Sequence, residues 1–187
     1  MISEMFAHGF IQRAFIGGVL VSLCAALLGV SLVLKRYSMI GDGLSHVSFG
    51  ALSIAIALGF APIKFSIPIV IIAAFFLLRL AENGKMKSDA AIAMVSASSL
   101  AIGVIVTSLT TGLSTDVCSY MFGSILAMSK DDVIFSVVLS VVVLIMFGFC
   151  YHRIFAVTFD ESFSKATGVK VGMYNTLISI FTAVTVV

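Results

Sequence analysis

Long apolar runs without charge constrain the fold of this chain more than any other feature. Six of them lie at residues 14–34, 43–63, 65–78, 90–115, 133–151 and 171–187, interrupted only by His46. The third run reaches Leu80 if the side chain of Arg79 extends towards the membrane surface. Because a helix needs about 20 apolar residues to cross a bilayer, the pattern predicts an all-α polytopic membrane protein with six spans. A seventh stretch, 117–129, is too short to cross and is predicted to be re-entrant or interfacial.

The composition excludes several other classes of protein. Apolar residues make up 60% of the 187 residues and charged residues only 11%, with a mean hydropathy of +1.20. Soluble domains are about 45–50% apolar and about 25% charged, so a soluble enzyme and a disordered chain are both excluded. A net charge of +2 gives no basic stripe for nucleic acid. The odd set of Cys24, Cys118 and Cys150 has no metal-binding spacing and indicates buried thiols.

The cations are distributed unevenly between the loops. Eight of the eleven Lys and Arg residues follow the first, third or fifth predicted span. The others are Arg13, Lys64 and Lys130. The positive-inside rule therefore predicts an external N-terminus and cytosolic loops after the odd-numbered spans.

Asp42 and His46 are ionisable residues at the start of the second run. Their i, i+4 spacing places both on one face of a helix. A carboxylate and an imidazole suit a divalent metal such as zinc, manganese or iron(II), and an ionisable residue within a span is a candidate for function. The alternative is that Asp42 caps the helix and His46 bonds a neighbouring helix.

Residues 158–168 form the second informative segment. Thr158 and Glu161 have the spacing of a capping box, and Gly168 supplies a C-terminal stop. The predicted short helix carries an apolar stripe and several charges; the stripe is Phe159, Phe163 and Ala166, and the charges are Asp160, Glu161 and Lys165. Such a helix either rests on the membrane surface or is docked by a cytosolic partner.

Other chemistry is disfavoured by the sequence. Ser45 precedes His46, but adjacent side chains diverge on a helix, which argues against an intramembrane hydrolase. No phosphate-binding GxxxxGK[ST] motif occurs, so the chain does not bind ATP by that device. The small residues at 96–99 indicate close helix packing.

Several motifs together resemble the N-terminal half of bacterial ABC metal-uptake permeases, the membrane subunits of zinc, manganese and iron(II) importers. They are the segments 10–14, 27–30 and 34–36, the string Ile40-Gly-Asp-Gly-Leu-Ser-His46, the segment 120–124, and Phe159 to Gly168. Gly43 stands where the family usually has Ala. Members are usually longer, so we expect 1–187 to be one transmembrane permease domain, truncated at its C-terminus.

The resemblance implies a multi-pass protein of the bacterial inner or plasma membrane that is not itself an enzyme. It implies a permease homodimer, that is, two copies of this chain, together with cytosolic ATP-binding subunits and an external metal-binding protein. Asp42 and His46 match the metal-pathway positions. The ATPase-coupling positions are Phe159, Asp160, Glu161, Phe163, Ala166 and Gly168. The metal ion is cargo, with no permanently bound cofactor. An ion-coupled secondary transporter without an ATPase is the alternative.

Overall fold

The computed structural model describes residues 9–37, 39–82, 88–110 and 130–187. All regular structure in these ranges is helical, which confirms the predicted all-α class. The helices are α1 (Gly9–Leu34), α2 (Ile40–Ala57), α3 (Pro62–Glu82), α4 (Ser88–Leu109), α5 (Lys130–Phe159), α6 (Glu161–Ala166) and α7 (Val171–Val186). The predicted re-entrant stretch, 117–129, lies outside the described residues.

Helices α1 to α5 are each long and apolar enough to cross a membrane. The sixth predicted span corresponds to α7, an apolar helix of 16 residues that is shorter than the five candidate spans. Helix α5 has 30 residues, or about 45 Å at 1.5 Å per residue, against about 30 Å of hydrocarbon. The predicted end of this span at residue 151 is therefore too early, and the helix continues for two further turns.

The predicted boundary between the second and third spans is also wrong. The sequence suggested a run to residue 63, whereas α2 ends at Ala57 and α3 begins at Pro62. Gly59 has a φ of +73°, and its amide and that of Phe60 bond carbonyls in the last turn of α2 at 3.1 and 2.8 Å. This glycine cap and the following proline end one helix and start the next without any charge, so hydropathy does not reveal the turn.

Helices α2 and α7 hold the bundle together. α2 packs mainly on α4 and α3, while α7 contacts α1, α2, α3 and α5, and α1 lies along α5. The apolar window of α2 is 61% buried, against 22% or less for α1, α4 and α5. The outer helices thus present apolar side chains outwards, as lipid contact requires.

Two glycines let α2 approach α4 closely. A Cβ at Gly50 would lie 2.8 Å from the carbonyl oxygen of Ser99, and one at Gly43 would lie 2.5 Å from the Ile92 side chain. The small residues at 96–99 therefore serve close packing, as predicted. Backbone atoms cannot move aside as a flexible side chain can, so the Gly50 contact is the stricter one.

We expect Gly50→Val to destabilise the bundle by about 1–3 kcal/mol, because the added atoms overpack the α2–α4 contact. Gly148→Ala is the matched control, since a Cβ there meets nothing within 4 Å. Thermal unfolding of the purified protein in detergent measures both. Equal stability of the two variants would contradict the close contact.

One end of the bundle carries several cations, namely Lys35 and Arg36 after α1, Arg153 near the end of α5, Lys165 in α6 and Lys170 after α6. The side chain of Lys35, just after α1, donates a hydrogen bond to Asn175 near the start of α7. Helix α6 lies between α5 and α7 in the chain and contacts both. The ends of α1 and α5 and the start of α7 are therefore neighbours, as the alternation of spans predicts. We call this the cation-rich end; the positive-inside rule assigns it to the cytosol.

The orientation is tested by impermeant thiol reagents applied to intact cells. After replacement of Cys24, Cys118 and Cys150, Lys165→Cys at the cation-rich end should stay unlabelled. Ala61→Cys, in the exposed turn between α2 and α3, should react. Labelling of the Lys165→Cys protein without lysis would reverse the orientation.

Candidate functional site

Asp42 and His46 share one face of α2, as their spacing predicts. The His46 Nε2 and Asp42 Oδ2 atoms are 3.8 Å apart, and the side chains are 29% and 64% exposed respectively. This separation is too long for a hydrogen bond. It is short enough that small side-chain rotations would place both atoms at about 2 Å from one ion.

The structure supports neither of the alternative roles for the pair, which are capping of the helix by Asp42 and a bond from His46 to a neighbouring helix. The residue at the N-cap of α2 is Met39, and no side chain caps that end. Asp42 lies within the first turn, where its negative charge is favourable near the helix N-terminus. Among the described residues, no hydrogen bond joins His46 to another helix, and its polar contact is Asp42 on α2 itself.

The pair lies close to the cation-rich end of α2. With a rise of 1.5 Å per residue, Asp42 is about 3 Å and His46 about 9 Å beyond the first residue of the helix. On the same turn, the hydroxyl of Ser45 donates to the carbonyl oxygen of Asp42 at 2.7 Å. This bond does not involve the His46 ring, so the structure gives no support to a serine–histidine hydrolase.

The pair has few potential ligands around it. Among the described residues, no group of three or more His, Cys, Asp and Glu side chains is placed to hold a metal ion. Asp42 and His46 therefore offer a carboxylate and an imidazole on an accessible helix face, and the described residues add no third ligand of these types to them.

The segment after α5 begins differently from the prediction. Thr158 belongs to α5, and its hydroxyl donates to the Ile154 carbonyl of that helix at 2.7 Å, so the predicted capping box is wrong. Asp160 is the N-cap of α6 instead, and its Oδ1 accepts from the Phe163 amide at 2.8 Å. Both the Thr158–Glu161 and the Asp160–Phe163 pairs have the same spacing, and the sequence alone favoured the wrong one.

The predicted end of this short helix is confirmed. Gly168 has a φ of +81°, and its amide donates to the Lys165 carbonyl at 3.1 Å. The Val169 amide donates to the Ser164 carbonyl at 3.0 Å, which completes a glycine cap of the Schellman type.

The apolar stripe is divided between two helices. Phe159 is the last residue of α5, whereas Phe163 and Ala166 belong to α6, so a stripe along one helix is wrong. Phe159 and Phe163 are nevertheless 67% and 65% exposed. The residue of α6 that faces the bundle is Ser164, which is buried. Two large aromatic side chains therefore project outwards where α5 meets α6.

Sequence reasoning missed Asn175. This amide is 6% exposed and bonds both Lys35 and Glu161, which come from distant parts of the chain. Its only signal in the sequence is a lone amide near the start of an otherwise apolar run.

A bundle of apolar helices that are long enough to cross a membrane defines the class: a polytopic helical membrane protein. Comparison with protein families then makes the assignment specific. Residues 7–187 match the ABC 3 transport family, and the chain belongs to that family. The resemblance seen in the motifs is confirmed.

Individual relatives agree with this assignment. A probable metal transport system membrane protein of Treponema pallidum (strain Nichols) is 32% identical over 183 residues, or 97% of this chain and 68% of the relative. The manganese import system permease protein ScaB of Streptococcus gordonii is 29% identical over 171 residues, or 91% of this chain and 61% of the relative. The chain thus spans about two thirds of these relatives' length.

The structure of PsaBC from Streptococcus pneumoniae in complex with Fab is similar to this one. Its TM-score is 0.81 at 29% identity, and the match covers 100% of this chain and 69% of the PsaBC chain. The agreement extends over all the helices described above.

Proposed function

We propose that this chain is the membrane-spanning permease subunit of an ATP-driven importer of divalent metal ions. The observation that carries the proposal is the accessible Asp42–His46 pair, on the inner helix of a bundle that belongs to a transport family. A secondary transporter would need no ABC partners, and family membership therefore disfavours it. The chain transports and does not catalyse; ATP hydrolysis belongs to a separate subunit.

The accessibility of the pair supports a dimeric permease. An ionisable side chain facing hydrocarbon costs about 2.5–3.5 kcal/mol on insertion scales, so such groups face protein or water. Asp42 is 64% exposed in one copy. A second copy placed against this face would shield the pair from lipid and contribute its own two ligands. A site of up to four ligands could then replace part of the ion's hydration shell.

The chemistry of the ligands defines a class of cargo. Oxygen and nitrogen ligands accept zinc, manganese and iron(II) alike, and affinity rises from manganese to zinc at a given site. Because ScaB is named for manganese import, Mn²⁺ is the first ion to test. A two-ligand contribution from each copy suits transport, because the ion must leave the site as well as enter it.

The outer end of α5 and helix α6 are proposed to dock on a cytosolic ATP-binding subunit. The exposed side chains Phe159 and Phe163 supply apolar contact area there, and α5 carries them beyond the hydrocarbon. An external metal-binding protein delivers the ion at the opposite end. Rigid-body motion of the packed helices then alternates access to the pathway.

We expect Asp42→Asn and His46→Gln each to lower Mn²⁺ uptake by about tenfold or more, because loss even of outer-shell partners of a metal costs about 10–100-fold. Uptake of radioactive Mn²⁺ by cells that lack other importers is the measurement, normalised to permease in the membrane. Ser45→Ala is the matched control, since this exposed hydroxyl bonds only its own helix among the described contacts. Normal uptake in both variants would remove the pair from the pathway.

The docking proposal is tested with Phe159→Ala and Phe163→Ala combined. Loss of two exposed aromatic anchors should reduce copurification of the ATP-binding subunit by about tenfold or more. Phe149→Ala is the control, because this residue is 85% exposed within the apolar part of α5. Full copurification with the double variant would favour a helix that only rests on lipid.

A further inference from the structure

Three polar side chains from distant parts of the sequence form one hydrogen-bonded chain at the cation-rich end. The Lys35 ammonium donates to Asn175 Oδ1, and Asn175 Nδ2 donates to Glu161 Oε1 at 2.8 Å. Asn175 is 6% exposed, while Lys35 is half-buried and Glu161 is exposed. We call this set the Lys35–Asn175–Glu161 chain.

Charge dictates the order of donors and acceptors in this chain. A lysine ammonium can only donate and an ionised carboxylate can only accept, so the amide oxygen must face Lys35 and the amide nitrogen must face Glu161. Both bonds involve an ionised group and are therefore stronger than bonds between neutral groups. An apolar side chain or a carboxylate at position 175 could not make both.

The Lys35–Asn175–Glu161 chain joins α6 to the corner that precedes α2. Glu161 is the first residue of α6, and Lys35 directly follows α1. At the next residue, Arg36 has a φ of 63°, and backbone bonds of 3.0 and 2.9 Å from Arg36 and Tyr37 close the end of α1. The amide of Ile40, where α2 begins, donates to the Tyr37 carbonyl at 3.1 Å.

The described residues of this corner are bonded to both helix ends, since Tyr37 bonds Leu32 of α1 and Ile40 of α2. A displacement of Lys35 is therefore passed to the first turn of α2, where Asp42 lies two residues beyond Ile40. Glu161 in turn is part of the helix that is proposed to dock on the ATP-binding subunit. The two functional segments are thus connected through one buried amide.

We propose that Asn175 is a positioning residue that transmits movement of α6 to the start of α2 and so couples ATP binding to opening of the metal pathway. The inference rests on the proposed function, because it assigns a role within the transport cycle. It requires that the α6 docking site and the Asp42–His46 pair both affect the position of one shared element, the α1–α2 corner.

The sharpest test exchanges the hydrogen-bond donor and acceptor between positions 175 and 161. In Asn175→Asp, two carboxylates face each other and the bond to Glu161 is lost. Adding Glu161→Gln restores a donor at 161, while Lys35 still donates to the new carboxylate. In the transporter reconstituted with its ATP-binding subunit and binding protein, Asn175→Asp should lower Mn²⁺ uptake per ATP hydrolysed by about tenfold. The combined variant should return to within about twofold of wild type.

Lys35 provides an independent pair of variants at a less buried position. Lys35→Met removes the donor and should uncouple uptake from hydrolysis, whereas Lys35→Gln keeps an N–H donor and should retain coupling. Lys170→Met is the control, because it removes an exposed cation from the same end that is not one of the three hydrogen-bonded residues Lys35, Asn175 and Glu161. If Asn175→Asp fails to fold, the Lys35 pair decides the matter.

A readout that does not depend on the cargo separates this inference from the proposed function. Spin labels at Ser162 on α6 and at Met39 in the corner report their separation with and without ATP. We expect an ATP-dependent change in wild type and its loss in Asn175→Asp and Lys35→Met. Failure of wild type to import any of Mn²⁺, Zn²⁺ and Fe²⁺ would overturn the proposed function. An unchanged distance response and unchanged uptake per ATP in these variants, or lack of rescue by Glu161→Gln, would overturn the inference.

Discussion

The need to satisfy every backbone amide and carbonyl in hydrocarbon determines how this chain is built. A helix satisfies its own backbone groups except at its ends, so each end must be closed by local bonds or lie in a polar region. Within the described residues, positive φ angles occur at Arg36, Gly59 and Gly168, and each of them is the second residue after a helix. All three close the preceding helix with the same pair of backbone bonds. Arg36 adopts this conformation at a cost of about 1–2 kcal/mol that glycine avoids, and its corner is the one that leads into the candidate metal pathway.

The number and type of helices could be predicted largely from hydropathy, whereas several boundaries could not. An apolar run indicates which residues can lie in hydrocarbon but not where the backbone turns. The hydropathy pattern therefore placed the uncharged turn at Gly59 within a span. The same limit explains the early end predicted for α5, because its final turns mix polar and aromatic residues outside the hydrocarbon. At the start of α6, the capping-box spacing predicted Thr158 as the cap, whereas α5 continues through Thr158 to Phe159 and the observed cap is Asp160. Periodicity, in contrast, correctly placed Asp42 and His46 on one face.

Part of the site depends on contacts that no local pattern records. Lys35 and Asn175 are 140 residues apart, and their bond requires α1 and α7 to end and start at the same level of the bundle. A sequence read along one helix at a time gives Asn175 no partner. The sequence does show that Asn175 needs hydrogen-bond partners, because a buried amide requires both a donor and an acceptor. A lone Asn near the end of an apolar run therefore indicates a tertiary contact, although not which one.

Asp42 and His46 lie at the same end of the bundle as α6, and the distribution of burial determines how that end can move. Helix α2 is the most enclosed of the long helices and packs against α4 through glycine contacts that leave little freedom for sliding. Its first residue follows a short corner that is hydrogen-bonded to the end of α1, and Lys35 in that corner bonds Asn175. A tightly packed helix moves most readily as a rigid body about its fixed contacts, so a force at its end is transmitted along its length without local deformation. Asp42 and His46, in its first two turns, therefore lie where a small displacement at the cation-rich end moves them most directly.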